Sequence, residues 1–496
     1  MVAERSPGAV VAATKTVNKS KARTGTGKKI GARLGFSASE PSIAEALSIA
    51  SFALLSMTSS LAIAAQRDSV ADNPIGRDTQ FAAVIFADEA VTSDTDETDP
   101  AEIDAALLYY LELDRVTVAE GIFNLKLPVG DKRAYEGKLV LDTLTGSSAN
   151  GAVPQDERQT FTRPSGNGEY NIDAANTPLD DTFKDTRVQL SGNWAEIWSP
   201  DWSSNHGLYL SREYDYTSMG INLALERSFN KSNTQLSLGM AYYYDLVDPV
   251  GGRPVAMSKM VFRDDFDSQA EFRTEFDKTR QIASSDKQTV DLSVGLTQII
   301  NRYMLVQLSY NLSSLQGYMT DPYKVLSLVD ASGTSEAYLY ESRPDERLKQ
   351  SFYLFSKHAL STGVTDLAYR YSHDDWGVSS HTFETRYRYN FTATFFGQLH
   401  LRYYRQEAAS FYRAFLNSAE ELPEFASADY RIGNMNAYTL GIKMGHSLVD
   451  GTKVSYRLEY YQQDPYSNGE QATGQLAQHE LYPSIKAIIF QLGLSF

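Results

Sequence analysis

Residues 287–312 read KQTVDLSVGLTQIINRYMLVQLSYNL. Val290, Leu292, Val294 and Leu296 alternate with Asp291, Ser293, Gly295 and Thr297. Beyond a short link at Asn301-Arg302, Met304, Val306, Leu308, Tyr310 and Leu312 alternate with Gln307, Ser309 and Asn311. Successive side chains of an extended chain point to opposite faces, so each half has one apolar and one polar face. A soluble β-sandwich alternates in the same way, but its strands average about 5–6 residues. These patterns run for about ten residues or more, the length a tilted strand needs to cross a bilayer.

The pattern recurs on both sides. In 234–245, Leu236, Leu238, Met240, Tyr242 and Tyr244 share a face opposite Gln235, Ser237, Gly239 and Asp245. In 378–391, Phe383, Tyr387, Tyr389 and Phe391 oppose Glu384, Arg386, Arg388 and Asn390. In 453–463, Val454, Tyr456, Leu458 and Tyr460 oppose Lys453, Ser455, Arg457 and Glu459. Tyrosines cluster near strand ends, at 242–244, 403–404 and 460–461, as in the aromatic girdles of membrane barrels.

Links also alternate in length. Short ones fall near Asn230–Asn233, Asn301–Arg302, Ser361–Gly363, Thr392–Thr394 and Val449–Gly451; long ones at 144–186, 246–286, 313–346, 408–433 and 464–483. That asymmetry predicts an all-β, transmembrane, antiparallel up-and-down β-barrel with short periplasmic turns and long extracellular loops. Termini on one side require an even strand number, and about 16 strands are expected, with 14 possible. Two segments leave the count open: 107–127, and 207–228, where apolar parity flips between Tyr216 and Met219. The chain ends in alternating apolar residues and an aromatic, Phe496, a candidate membrane-assembly signal.

The 496 residues carry 46 Lys+Arg against 62 Asp+Glu, a formal charge of −16, and no cysteine. Disulfide scaffolds, thiolate metal sites and thiol catalysis are excluded. An acidic balance disfavours nucleic acid as a partner. The first 34 residues hold eight bases against Glu4, and an uncharged stretch from Ala46 to Gln66 ends at Ala62-Ile63-Ala64. Basic region, apolar region and small-x-small site in that order read as a cleaved signal peptide over 1–64. The rest divides into an acidic lead-in, 65–106, and a barrel, 107–496. Removing 1–64 takes away those eight bases and three acids (Glu4, Glu40 and Glu45), leaving a net charge of −21.

Ten segments resemble the bacterial family catalogued as domain of unknown function 3570. They are YLELDRV (110–116), DTLTGSSANGA (142–152), QTFTRPSG (159–166), FKDTR (183–187), EYDY (213–216), PVGG (249–252), GYMTDPYK (317–324), YESRPD (340–345), DDWG (374–377) and RYYRQ (402–406). The resemblance covers about 107–496 and implies a Gram-negative outer-membrane barrel. It carries over no catalytic residue. The family's setting beside envelope redox genes implies a redox-linked role.

No enzyme is expected. GxSxG and HExxH motifs are absent, and the acidic loops at Asp264–Asp267 and Asp180–Asp181 lack EF-hand spacing. His373 and His381 flank a short loop that could hold a metal but reads better as a polar strand end. No cofactor or metal is expected. Inward-facing charge is the more informative feature: Arg370, Glu384, Arg386, Arg388, Arg402, Arg457 and Glu459 fall on or near polar faces and are the candidate lumen-lining residues. Both signs in one lumen are expected to pair across it and narrow it. The reading is a narrow porin-like channel for small solutes; the alternative is a non-conducting barrel that docks periplasmic or surface partners in an envelope redox system. Expected partners are the lipid bilayer, the barrel-assembly machinery and periplasmic redox proteins. N-terminal sequencing of the membrane-extracted protein should place the mature start at or near Ala65, and a mature chain retaining Phe52–Leu61 would contradict cleavage.

Overall fold

The computed structural model describes residues 101–496, apart from 114, 282 and 283. The expected signal peptide and most of the lead-in lie outside the described residues. Sixteen strands form one closed antiparallel ring in chain order. They are Glu102–Glu112, Val116–Val129, Arg133–Ala149, Leu179–Ser199, Trp202–Arg212, Tyr216–Phe229, Thr234–Val247, Ser285–Asn301, Met304–Gly317, Glu346–Ala359, Gly363–Asp374, Ser379–Asn390, Phe395–Glu407, Asn434–Ser447, Lys453–Tyr466 and Ile485–Ser495. The first strand therefore starts within the stretch read as a lead-in. Its partner across the seam is the last: Leu107 faces Leu492, and Phe496 and Ile103 exchange backbone hydrogen bonds of 2.9 and 3.2 Å. The Phe496 ring stays exposed.

The quoted stretch becomes the eighth and ninth strands, paired from Lys287–Gly317 down to Asn301–Met304. Leu292 sits beside Met240, and Leu308 beside Leu354, all exposed on the outer face. Asp291, Gln307 and Ser309, one residue out of phase, are buried on the inner one. The period of two sorts most strands in this way, leaving an apolar exterior and, away from the seam, a polar interior. Trp198, Trp202, Phe229, Tyr303 and Phe391 are exposed toward one rim, and Tyr109, Tyr242, Tyr371 and Tyr438 toward the other. These two belts are interfacial girdles, and the molecule is a transmembrane barrel. Among the described residues no helix is long and apolar enough to cross a membrane.

Every link at one rim is short: 130–132, 200–201, 230–233, 302–303, 360–362, 391–394 and 448–452. At 230–232 three consecutive residues, Asn230, Lys231 and Ser232, have φ of 53°, 56° and 62°. Side-chain amides tie that left-handed turn, Asn233 Nδ2 donating to the Asn230 carbonyl at 2.9 Å. The other rim carries the long links 150–178, 248–284, 318–345, 408–433 and 467–484. Three links at that rim are short, at 113–115, 213–215 and 375–378; the last is legible as a short loop from the sequence, and the first two fall in the segments that left the count open. The first splits 107–127 between two strands. The second explains the parity flip before Met219: inward residues are odd-numbered through Ser211 and even-numbered from Tyr216.

A closed sheet leaves no backbone group for detergent to attack. Unheated protein in SDS should migrate as a compact band that shifts on boiling; a single unshifted band would contradict a closed barrel.

Candidate functional site: a capped, charge-lined lumen

Strand register decides what faces the interior. Six consecutive strands, from Glu346–Ala359 to Lys453–Tyr466, turn inward Arg347, Lys349, Lys357, Arg370, Arg386, Arg388, Arg402, Lys443, Lys453 and Arg457. Their inward acids are Asp366, Asp374, Glu384 and Glu459. The nine strands from Glu102–Glu112 to Met304–Gly317 reverse the balance. They turn inward Glu102, Asp104, Glu112, Glu120, Glu136, Asp142, Asp185, Glu226, Asp245 and Asp291, against Lys126, Lys138, Arg187 and Lys287. The lumen thus has a basic and an acidic wall. Where the acidic wall meets the last strand, part of the inner face is apolar: Leu108, Val118, Leu144, Ala487 and Ile489 pack together, buried.

All seven sequence-predicted residues lie on the inward phase of the basic wall. Four of them are brought together by a residue the sequence reading passed over, His400. Its Nδ1 is 2.9 Å from Glu459 Oε1, and its Nε2 is 3.3 Å from Glu384 Oε1. Glu384 also holds Arg386 at 2.5 Å, and Arg457 lies 3.9 Å from Glu459. The signal was register: His400 stands directly opposite Arg386 on the next strand. Arg388 sits apart, 3.6 Å over the Phe396 ring. Arg370 lies over Tyr353 and Arg402 over Tyr404, at 5.2 and 5.9 Å. The expectation of pairing across the lumen does not describe these contacts, which run along one wall. The acidic wall is knit similarly, Arg187 to Asp142 at 2.6 Å and Lys287 to Asp245 at 3.1 Å. Adjacent strands are about 4.8 Å apart, so a neighbour is reached long before the opposite wall.

Over the long-loop rim the loops fold on one another. A sheet of Val325–Val329, Ser335–Tyr340 and Leu416–Asn417 joins two of them. A hairpin, Gln159–Thr162 with Glu169–Ile172, and a helix, Gln269–Lys278, come from two more. Phe161, Tyr170, Met260, Val325, Tyr338 and Tyr340 form one buried cluster, and Val153, Val329, Phe415 and Leu476 another. Each cluster draws on at least three loops, so no loop buries its apolar side chains alone. The 318–345 loop leaves from the ninth strand of the ring and reaches the loop after the third. There Val325 N donates to the Asn150 carbonyl at 2.8 Å, and Lys324 Nζ to that of Ala149. Gly151 permits the approach: its φ is 97°, and a Cβ there would lie 2.4 Å from the Val325 carbonyl oxygen. The loop is a strap across the mouth.

The two ends of the strap and the 408–433 loop share a buried ionic cluster. Arg343 contacts Glu341 and Asp429, each at 2.6 Å, with all three side chains 0% exposed. Arg431 contacts Asp429 and Asp321, each at 2.5 Å. Asp321 N donates to Glu341 Oε1 at 2.6 Å, and Ser427 Oγ donates to Glu341 Oε2. With Lys324 close by, three bases balance three acids. Burial alone would raise the Asp429 carboxyl, but Arg431 and Arg343 overrule it and hold it far below the usual carboxylate range. Glu341 goes the other way: burial pushes it up, and Arg343 only partly offsets that. Burial lowers Lys324, and repulsion from Arg431 adds to it. Two of the quoted segments, GYMTDPYK and YESRPD, thus meet in one cluster. Asp429 and Arg431, which complete it, lie outside those segments and were missed. Tyr323 also donates to Asp215, of the EYDY segment.

His373 and His381 both fall on the outward phase, and His381 Nδ1 lies 2.9 Å from the Tyr369 hydroxyl. Among the described residues no group of three His, Asp or Glu is placed to hold a metal.

The family model described as "Protein of unknown function (DUF3570)" matches residues 44–496. The chain belongs to that family. No curated protein matches the sequence. Among solved structures, the chain is similar to a bacterial polysaccharide outer membrane secretin at 8% identity and TM-score 0.41, covering 81% of this chain and 100% of that one. It is similar to the CymD monoaromatic hydrocarbon channel at 9% and 0.35, covering 80% and 88%. It is similar to the outer membrane protein opdK from Pseudomonas aeruginosa at 8% and 0.35, covering 80% and 98%. At such values these likenesses do not bear on activity, and the barrel stands on its own strand pairing. A closed single-chain barrel with an apolar belt and aromatic girdles is a bacterial outer-membrane protein.

Asp429 is the acid both guanidiniums share. Asp429→Asn should loosen the cap by about 3–5 kcal/mol, the cost of breaking a buried ion pair. Glu341→Gln should cost less, because burial already biases that carboxyl toward its neutral form. A depressed folded pKa contributes stability above the unfolded value near ~3.9 and loses it as pH falls further. Wild-type loops should therefore become protease-sensitive below about pH 4 by way of Asp429. The raised Glu341 has the opposite sign, its folded form taking up a proton first. Cleavage rates within 318–345 and 408–433 on intact outer membranes check both; Glu341→Gln loosening the loops more than Asp429→Asn would reverse the assignment.

Proposed function

We propose that the protein is a narrow outer-membrane conduit for small hydrophilic solutes, its external mouth strapped by its own loops at rest. The observation that carries this reading is the solvent exposure of inward-facing charge. The Glu384 and Arg386 side chains are 24% and 18% exposed although they point into a closed ring. Inside a closed wall, such exposure supports a lumen with room for water beside these charges. Nearby inward residues Tyr353, Thr382, Arg402 and Tyr404 are half-buried in the same way. Ser237, Gly239 and Ser293, inward residues on the acidic wall, are small and project little into that lumen. Fixed charges in a low-dielectric wall focus the field along such a path and select ions by sign.

The strap and its ionic cluster account for narrowness. Within the same reading, a signal peptide delivers the chain to the periplasm, and assembly machinery recognises the terminal strand through Phe496. The rival reading, a non-conducting barrel that docks redox partners, draws on the packed cap.

Planar-bilayer recording on refolded protein separates the two. Wild type should give small, discrete conductance steps. Replacing 325–340 by a short Gly-Ser link removes two strands of the cap sheet and should raise the conductance severalfold. Silence from both proteins would end the conduit reading in favour of the docking barrel.

A further inference from the structure

Two arginines of the basic wall lie over tyrosine rings on its inner face. Arg386 and Arg457 lean on Glu384 and Glu459, Arg347 on Asp374, and Lys357 on Asp366. Arg370 and Arg402 have no carboxylate within ion-pair distance among the described residues. Each guanidinium lies over a tyrosine ring instead. Register places them together. Tyr353, Arg370, Thr382 and Tyr404 stand side by side on four consecutive strands, and Arg402 lies on the fourth, one inward position from Tyr404. All five side chains are inward and half-buried.

Glu384 is the acid nearest in register, directly opposite Arg402. It is already engaged by Arg386 and by His400. The neighbourhood therefore keeps a positive surplus that its own carboxylates offset only in part. Leaving two guanidiniums near one another without counter-charge costs free energy in any protein, and a bound anion offsets that cost. A guanidinium presents a planar fork of donors matched to oxyanions, and stacking on a ring fixes the plane without using those donors. The two Cα positions are two strands apart, about 10 Å laterally. Long side chains can close that gap to the span of a short dianion.

We infer that Arg370 and Arg402, floored by Tyr353 and Tyr404 and with the Thr382 hydroxyl between them, form an oxyanion-binding subsite in the lumen, which takes small dicarboxylates or phosphate. It rests on the conduit reading for its role, since it names the solute class that path would favour, but binding can be measured without current. A dianion engages both forks; a monocarboxylate engages one. The acidic wall opposite repels the same solutes, so they are drawn along the basic side.

The test uses the refolded full chain in detergent, titrated calorimetrically with succinate, with acetate and with inorganic phosphate. Succinate should bind about tenfold more tightly than acetate, reflecting a second charge-assisted contact. Arg370→Gln and Arg402→Gln should each weaken succinate about tenfold, with the heat-dependent gel shift retained as proof of folding. Arg402→Lys keeps the charge without the fork and should fall between. In bilayers under a KCl gradient, the double Gln variant should lose anion preference relative to wild type. Phosphate binding with the same arginine dependence, and succinate not binding, would assign the subsite to phosphate. Wild type binding neither dianion, or binding unaltered by both substitutions, would overturn the inference even if the barrel conducts. Arginine-dependent binding in an electrically silent barrel would uphold the subsite and overturn the conduit reading instead.

Discussion

Backbone hydrogen bonding in hydrocarbon is the constraint on which the rest of this structure depends. An unpaired N–H or C=O in a bilayer core costs several kcal/mol, with no water to satisfy it. Strands can meet that demand only if the sheet has no edge. Here the edge is removed where Glu102–Glu112 pairs with Ile485–Ser495. Nearly four hundred residues separate those strands in the chain, so the most distant contact in sequence completes the wall. Once the ring is closed, the period of two does the rest. Leu292 and Leu308 have to face lipid, and Asp291 and Ser309 have to face the interior.

The loops solve a second problem by sharing. Each carries a few apolar side chains, too few for a core of its own. Phe161, Met260, Val325 and Tyr340 come from three separate links and bury one another. The ionic cluster that one of these links, 318–345, shares with the 408–433 loop fixes how the two meet. Buried ion pairs contribute little net stability against apolar replacements of similar shape, but breaking one is costly. Asp429, held between Arg343 and Arg431, therefore serves registry between the 318–345 and 408–433 loops more than raw stability.

The lumen shows the same economy of distance. Charges pair with neighbours on their own wall because adjacent strands lie so close. What remains after local pairing is a surplus of bases on one side and of acids on the other. A field across the lumen is the physical consequence, and it acts on any solute passing between the walls.

Much of this was legible in the residues alone. Alternation in 287–312 determined strands, their length determined a membrane setting, and link lengths placed the two rims, because these are local properties of period and spacing. The inward phase of Arg370, Glu384, Arg386, Arg388, Arg402, Arg457 and Glu459 was legible for the same reason. The two short links at 113–115 and 213–215 left only a doubtful length and a flipped parity, since a tight turn needs no run of turn residues. What the sequence could not determine is which inward residues meet. His400 was one histidine among seven until register set it against Arg386, with Glu384 and Glu459 in reach. The segments at 317–324 and 340–345 were recognisable as motifs, yet their junction with Asp429 and Arg431 was not. Those partners lie about ninety residues away and are brought together only when a strap from the ninth strand packs with a loop from the thirteenth, a pairing that ring closure and shared apolar burial impose and no local pattern encodes.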